Sequence, residues 1–163
     1  MTSMYCVTEK YVLCYRKIFK LFKFSKNMTT IDEHRRIIES YEEDIKEKIK
    51  SNTLAERQKI IAFCASEAST NLFALFLHKK NLISEGFNVN HRFFSSEEQA
   101  RKRFNFDFSN KNKILKLLVN QERLRDLLCY GKGKDITPVK KTIKNYFELK
   151  ESIEKDIKEN ETS

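Results

Sequence analysis

The sequence predicts an all-α protein, an antiparallel bundle of four to five helices with an extra basic helix at the N-terminus. Only three Gly and one Pro occur in 163 residues, which leaves little material for tight turns. The content of 40% hydrophobic and 34% charged residues is typical of amphipathic helices. A chain of this length can bury a hydrophobic core, so residues 29–160 are expected to form one domain.

The formal net charge of +9 favours an anionic partner such as RNA, a nucleotide or a lipid headgroup. The alternative is a solvated Lys-rich surface without such a partner. The four cysteines form no C-x-x-C pair, so zinc spacing is absent, and no metal or cofactor is expected. No secretory signal is recognisable, and the longest weakly charged run, 60–77, is interrupted by Glu67; a cytoplasmic location is therefore expected.

Residues 1–28 are predicted to contain a basic amphipathic helix. Apolar residues recur at helical spacing between Tyr5 and Phe24, and five Lys and Arg residues surround them. Such a helix can lie on an acidic membrane surface, but packing against the domain is the favoured interpretation.

Two capping boxes predict the next two helices. Thr30-Ile-Asp-Glu33 opens a helix to about residue 49, and Thr53-Leu-Ala-Glu56 opens one to about Leu82. The second is apolar around most of its circumference, so it is expected to be the central core helix.

The remaining elements are shorter or less regular. Ser95-Ser-Glu-Glu98 predicts a short helix to about Phe104, and the alternating Phe residues of 104–108 predict an aromatic loop, because one unpaired strand is not stable. Ser109 or Asn110 is expected to cap a helix that ends near residue 131. Thr137-Pro138 predicts the start of the last helix, which runs to about residue 160.

Catalytic signals are sparse. The three histidines, His34, His78 and His91, are not at metal-ligand spacing, and a single helical His such as His34 is expected at the surface. Gly131 and Gly133 follow a helix instead of beginning one, which excludes a Gly-rich phosphate loop.

One group of polar residues stands out at the C-terminal end of the helix before residue 131. Its members are Arg123, Arg125, Asp126, Cys129, Tyr130, Lys132 and Lys134. Two arginines, a tyrosine and two lysines can bind a phosphodiester, the arginines by bidentate contacts and the tyrosine by stacking or hydrogen bonding. The alternative is that Arg125 and Asp126 form local ion pairs while the lysines satisfy the negative end of the helix.

Residues 124–158 resemble the end of the HEPN superfamily, specifically its HepT-like toxin branch. In that branch a helix ends in Arg-Asn-x-x-x-His-x-Tyr-Gly, and a short turn and an amphipathic closing helix follow. Here the sequence is Arg125-Asp-Leu-Leu-Cys-Tyr-Gly131, then a short turn, then a helix from Val139. The resemblance implies a homodimer that brings two copies of Arg125 together across a basic cleft. It also implies a small nucleotidyltransferase antitoxin as protein partner.

The sequence departs from the family pattern where catalysis would occur. At the position of the family's His the sequence has Tyr130, whose reference pKa near 10 makes it a poorer proton donor and acceptor at neutral pH than His, near 6.5. In an alternative alignment Tyr130-Gly131 matches the family's Tyr-Gly, two residues are deleted and the His is lost outright. The His is missing in either alignment. The family's Asn is Asp126, which adds negative charge beside any phosphate.

The expectation is therefore a degenerate RNA- or nucleotide-binding protein of toxin–antitoxin type. Arg125 and Tyr130 would carry any residual catalysis, and Arg123, Lys132 and Lys134 would bind phosphate. One alternative is a weak metal-independent ribonuclease that uses Arg125 for the phosphate charge and Tyr130 as the acid. The other is a helical interaction protein whose protein or membrane partner binds residues 5–24.

Overall fold

The computed structural model describes residues 30–84, 86–130 and 132–161, and every regular element in them is helical. The elements are α1 (Ile31–Lys50), α2 (Gln58–Lys79), a short 3₁₀ helix (His91–Phe94), α3 (Glu97–Arg103), α4 (Lys111–Cys129) and α5 (Ile136–Glu161). The prediction of an all-helical bundle is confirmed. The predicted basic helix in residues 1–28 lies outside the described residues.

Helix α2 occupies the centre of the bundle, as predicted. It packs against α1, α4 and α5, and Ala65, Ala68, Phe73 and Phe76 are completely buried. By length and mean hydropathy (1.6) it is also the one helix in the described part of the chain that could cross a membrane. However, 78% of its apolar window is buried by the other helices, as in the core helix of a soluble protein.

Helix α1 begins at the predicted cap. The Thr30 hydroxyl accepts a hydrogen bond from the Glu33 N–H at 3.2 Å. The expectation that His34 is a surface residue is wrong, because it is 5% exposed. Its Nδ1 lies 2.9 Å from the Asn71 Oδ1, and its ring lies 5.5 Å from that of His78. Burial lowers the pKa of His34, and His78 lowers it further against the opposing hydrogen bond to Asn71.

The second capping box does not start a helix. Residues 54–57 form a turn in which the Arg57 N–H donates to the Thr53 carbonyl at 3.0 Å, and α2 begins only at Gln58. The Thr53 hydroxyl lies 2.8 Å from that of Ser51, so it is engaged locally. Helix α2 ends at Lys79, before the predicted Leu82.

The starts of the last two helices also differ in detail from the prediction. Asn110 precedes α4 as expected, but it has a left-handed backbone (φ 56°) and its side chain caps no N–H. Helix α5 begins one residue before Thr137, because the Asp135 carboxylate accepts from the Thr137 N–H at 2.7 Å. Pro138 therefore lies within the first turn, where no helical hydrogen bond is lost.

The Phe-rich segment 104–108 is a loop whose rings enter the core, as predicted. The Phe104 ring is fully buried, 5.0 Å from that of Phe73 and 5.7 Å from that of Phe94 between centroids. The 3₁₀ helix that carries Phe94 was not predicted.

A buried carboxylate joins α1 to α5. Glu42 is 5% exposed and accepts from the Tyr146 hydroxyl and the Lys150 ammonium, each at 2.5 Å, and from Lys46 at 3.2 Å. Burial alone would raise the pKa of Glu42, but the hydrogen bonds from Lys150 and Tyr146 outweigh it and lower the pKa. These four residues are called the Glu42 network below.

Polar contacts also hold α4 beside α5. The buried Asn145 amide donates to the Leu117 carbonyl at 2.9 Å and to the Gln121 side chain at 2.8 Å. On the outside of the same pair of helices, Lys113 lies 3.9 Å from Glu148. The exposed faces of α4 and α5 are thus neighbours on the surface.

Candidate nucleic-acid interface

The polar residues singled out in the sequence separate into buried and exposed groups at the end of α4. Arg125 is 8% exposed, whereas Tyr130 is 65% exposed, more than any other large apolar or aromatic side chain among the described residues. Arg123, Lys132 and Lys134 are exposed as well. The helix ends because Tyr130 adopts an extended backbone (φ −110°, ψ 141°).

Carboxylates surround the Arg125 guanidinium. Its Nε and Nη2 donate to the two carboxylate oxygens of Glu122 at 2.8 and 2.7 Å, and Nη2 also donates to Asp126 at 3.1 Å. Hydrogen bonding to Glu122 is the main cause that raises the pKa of Arg125. The local ion pair between Arg125 and Asp126, one of the two alternatives from the sequence, is present, and Glu122 adds a bidentate pair to it.

Glu122 is the centre of a cluster built from three elements. It is 6% exposed, and it binds His91 Nδ1 from the 3₁₀ helix at 2.9 Å and the Ser66 hydroxyl from α2 at 3.3 Å. Burial alone would raise the pKa of the Glu122 carboxyl, but hydrogen bonds from Arg125 and His91 lower it. Glu122 is therefore ionised at neutral pH.

A second carboxyl group, that of Glu67 from α2, belongs to this cluster. Burial raises the pKa of Glu67, and the negative charge of Glu122 raises it further, while His91 and Arg125 act in the opposite direction. Glu67, Glu122, Arg125, His91 and Ser66 are called the Glu122 cluster below.

Tyr130 rests on the exposed side of this cluster. The Arg125 Cζ lies 5.8 Å from the centroid of the Tyr130 ring, within the range of a cation–π contact. The structure thus brings Arg125 and Tyr130 together. The Nε and Nη2 groups of Arg125 donate their hydrogen bonds to the carboxylates of Glu122 and Asp126.

Within the loop after α4, Lys134 is held through its backbone. The Lys134 N–H donates to the Gln58 side-chain oxygen at 2.8 Å, and the Gln58 amide lies 3.4 Å from the Lys134 carbonyl oxygen. A Cβ at Gly133 would lie 3.3 Å from the same amide, so a side chain there would crowd the contact. The side chains of Lys132 and Lys134 remain exposed.

Further exposed cations lie on both neighbouring helices. The set called the basic face below comprises Lys116 and Arg123 of α4, Lys132 and Lys134 of the loop, and Lys140, Lys141 and Lys144 of α5. None of the seven forms an ion pair with a carboxylate among the described residues.

Charge is distributed unevenly along the sequence. Residues 91–146 carry fourteen Lys and Arg against six Asp and Glu, whereas residues 30–50 and 147–163 each carry more Asp and Glu than Lys and Arg. The basic face therefore belongs to the most positive part of the described chain.

Sequence reasoning missed the buried part of the cluster. The pair of Glu122 and Arg125 at i and i+3 could have been found from helical spacing. His91 and Ser66 gave no such signal, since they lie 31 and 56 residues from Glu122. Among the described residues no group of three or more His, Cys, Asp and Glu is placed to hold a metal ion.

Comparisons of the chain with protein-family models, with curated protein sequences and with solved structures gave no match.

Proposed function

We propose that this chain is a HEPN-like helical domain that binds RNA or a nucleotide through the basic face. The observation that carries the proposal is the contrast between two sets of cations at the end of α4. Arg125 is neutralised by Glu122 and Asp126, whereas the seven cations of the basic face are exposed and form no ion pairs within the described residues. Phosphate binding is therefore assigned to the basic face, including Arg123, Lys132 and Lys134.

The charge pattern of α5 supports this assignment. Its residues 136–146 contain three Lys and no carboxylate, whereas residues 147–161 contain six carboxylates and three Lys. Helices are stabilised by the reverse pattern, acidic at the start and basic at the end. The three lysines lie beyond the first turn, which Asp135 caps, so they gain nothing from the helix dipole; they make the N-terminal half of α5 a positive surface instead.

The resemblance adds partners to the proposal. A HEPN-like protein of toxin–antitoxin type would be a cytoplasmic homodimer and would pair with a small nucleotidyltransferase antitoxin. Because the family's His is missing, binding is proposed in place of efficient cleavage.

The test is the affinity for a fluorescently labelled single-stranded RNA of about 12 nucleotides, measured by anisotropy at several salt concentrations. A variant with Lys132→Gln, Lys134→Gln and Lys141→Gln is expected to bind at least about tenfold more weakly, with a log–log salt slope reduced by roughly 2 to 3. The matched control carries Arg36→Gln, Lys155→Gln and Lys158→Gln, the same charge change outside the basic face. Equal losses in both variants, or no salt-dependent binding, would contradict the proposal.

The same RNA also tests the ribonuclease alternative. If the purified protein cleaves it, and Tyr130→Phe removes the cleavage while leaving the binding intact, then the enzyme is favoured over the binding protein. Unchanged RNA after long incubation favours binding alone.

A further inference from the structure

We infer that Tyr130 is a stacking platform for an unpaired nucleobase, so that the basic face selects single-stranded over double-stranded nucleic acid. This inference rests on the proposed function and names its substrate class. It also gives Arg125 a role different from phosphate binding or catalysis, namely that of a positioning residue for the Tyr130 ring.

The first observation is the exposure of the ring. An aromatic side chain that is 65% exposed makes little contribution to the core, yet Tyr130 stands in the sequence between Arg123 of α4 and Lys132 of the loop. Leu127, one turn earlier, is 42% exposed and adds apolar surface beside it. An aromatic ring flanked by cations that contact phosphates is the arrangement by which proteins bind single strands without reading their sequence.

The second observation is the support beneath the ring. The Arg125 guanidinium carbon lies 5.8 Å from the centroid of the Tyr130 ring, and hydrogen bonding to Tyr130 is among the causes that raise the pKa of Arg125. Tyr130 itself remains 65% exposed. Glu122 grips that guanidinium with both oxygens and is itself bound by Ser66 and His91. The ring thus rests on a group fixed by α4, α2 and the 3₁₀ helix. A platform ordered in advance loses less conformational entropy when a base stacks on it.

These observations assign phosphate binding and base stacking to different residues at the end of α4. The basic face attracts the phosphates of any nucleic acid, and Tyr130 requires a base whose flat side is accessible. Bases in a duplex are stacked on one another and do not offer that side, whereas loops, ends and single strands do.

The experiment compares two single strands of equal length and charge, one with bases and one abasic, in binding to the full chain. The intact protein is expected to bind the strand with bases roughly 5- to 100-fold more tightly than the abasic strand. Tyr130→Phe is expected to keep this ratio and Tyr130→Ala to reduce it to about one, with the affinity for the abasic strand unchanged. Phe147→Ala is the matched control, because Phe147 is a 37% exposed aromatic in a groove lined by Glu151 and Glu154, and it should keep the ratio.

A separate variant tests the positioning role of Arg125. Arg125→Lys retains a positive charge but loses the bidentate geometry, so the ratio between the two strands should fall toward that of Tyr130→Ala while abasic binding persists. Far-UV circular dichroism establishes that this variant is folded; if it is not, Ser66→Ala and His91→Gln, which loosen Glu122 more mildly, take its place. A full ratio in all folded variants of the cluster would overturn the positioning role.

The outcomes separate this inference from the proposed function. If the intact protein binds the abasic strand as tightly as the strand with bases, the stacking platform is refuted while salt-dependent binding to the basic face stands. If neither strand is bound, the proposed function itself fails. If a duplex of the same charge competes as well as the single strand, the assignment of Tyr130 is overturned.

Discussion

The Glu42 network and the Glu122 cluster are two solutions to the same problem, a buried carboxylate in a small helical protein. Glu42 is 5% and Glu122 6% exposed, and each accepts from at least one cation and one hydroxyl group. Glu42 joins α1 to α5, and its contacts end in that interface. The contacts of Glu122 lead outward through Arg125 to Tyr130 at the surface. Similar chemistry therefore fastens two helices in one place and supports an exposed ring in the other.

The two regions also differ in their balance of charge. Glu42 is one carboxylate with two lysines in contact, Lys46 and Lys150. In the Glu122 cluster, Arg125 contacts both Glu122 and Asp126, and the charges of Arg125 and Glu122 also act on Glu67. Glu42 thus has two lysines for one buried carboxylate, whereas a single guanidinium serves both Glu122 and Asp126, with His91 as a further partner of Glu122.

The largest effect is expected from Arg125→Met. The substitution removes the cation that neutralises the buried Glu122 and leaves Glu67 as a second negative charge nearby. Loss of one partner from a buried pair costs about 3–5 kcal/mol, so the free energy of unfolding should fall by about that amount. Urea unfolding followed by far-UV circular dichroism measures it.

Lys150→Met is the matched variant in the other region. It should cost less than Arg125→Met, because Glu42 keeps the Tyr146 hydroxyl and the ammonium of Lys46. Glu122 would keep only His91 and the Ser66 hydroxyl and would still lie near the carboxyl of Glu67. In the double variant Arg125→Met, Glu122→Leu the charge of Glu122 is removed together with its partner, so much of the stability should return. Equal losses for the two single variants would refute the difference in charge balance.

The second effect concerns the hydroxyl donor of the Glu42 network. Tyr146→Phe removes the hydrogen bond to a buried, ionised carboxylate and should lower the free energy of unfolding by about 1.5–3 kcal/mol. Ser66→Ala removes the corresponding hydroxyl of the Glu122 cluster. It should cost less, because its 3.3 Å contact is longer than the 2.5 Å contact of Tyr146. Urea unfolding measures both losses. A larger loss for Ser66→Ala than for Tyr146→Phe would show that the hydroxyl group contributes more to stability in the Glu122 cluster than in the Glu42 network.

Contacts between residues close together in the sequence could be predicted, whereas contacts between distant residues could not. Helix α2 as the core, the Thr30 cap and the aromatic loop after Phe104 were predictable, since each depends on neighbours within a turn or two. Glu122 with Arg125 lies in the same range. Tyr146 and Glu42 are 104 residues apart, and only the packing of α5 on α1 brings them together.

The failed predictions have the same origin. Thr53 has the sequence of a capping box, but its hydroxyl is engaged with Ser51. His34 looked like a surface residue because its burial is produced by the end of α2, where His78 and Asn71 meet it. Local pattern locates a helix; it does not say which side chains a second helix will cover.

The third prediction is a gain in stability, and it tests whether the Glu122 cluster carries excess negative charge. Because the pKa of Glu67 is raised above its ordinary value of 4.5 in the folded protein, its ionised form disfavours folding at neutral pH. Glu67→Gln should therefore raise the free energy of unfolding at pH 7, by on the order of 1 kcal/mol. The gain should shrink as the pH falls and vanish below 4.5, where the carboxyl is protonated in both states. A gain that persists at pH 4 would mean that packing, not charge, is responsible.

The smallest effect on stability is expected from Tyr130→Ala, although this substitution should weaken RNA binding strongly. Tyr130→Ala removes a ring that is 65% exposed, and such surface substitutions usually change stability by less than about 0.5 kcal/mol. Tyr146 carries the same functional group but is completely buried, so Tyr146→Ala should cost several times more. Unfolding in urea with and without single-stranded RNA separates the two roles, because a bound ligand stabilises only the protein that binds it. Added RNA should shift the midpoint of the wild type by more than that of Tyr130→Ala. If Tyr130→Ala instead proves as destabilising as Tyr146→Ala, the ring is part of the fold, and the distinction between a fastening network and a supporting cluster fails.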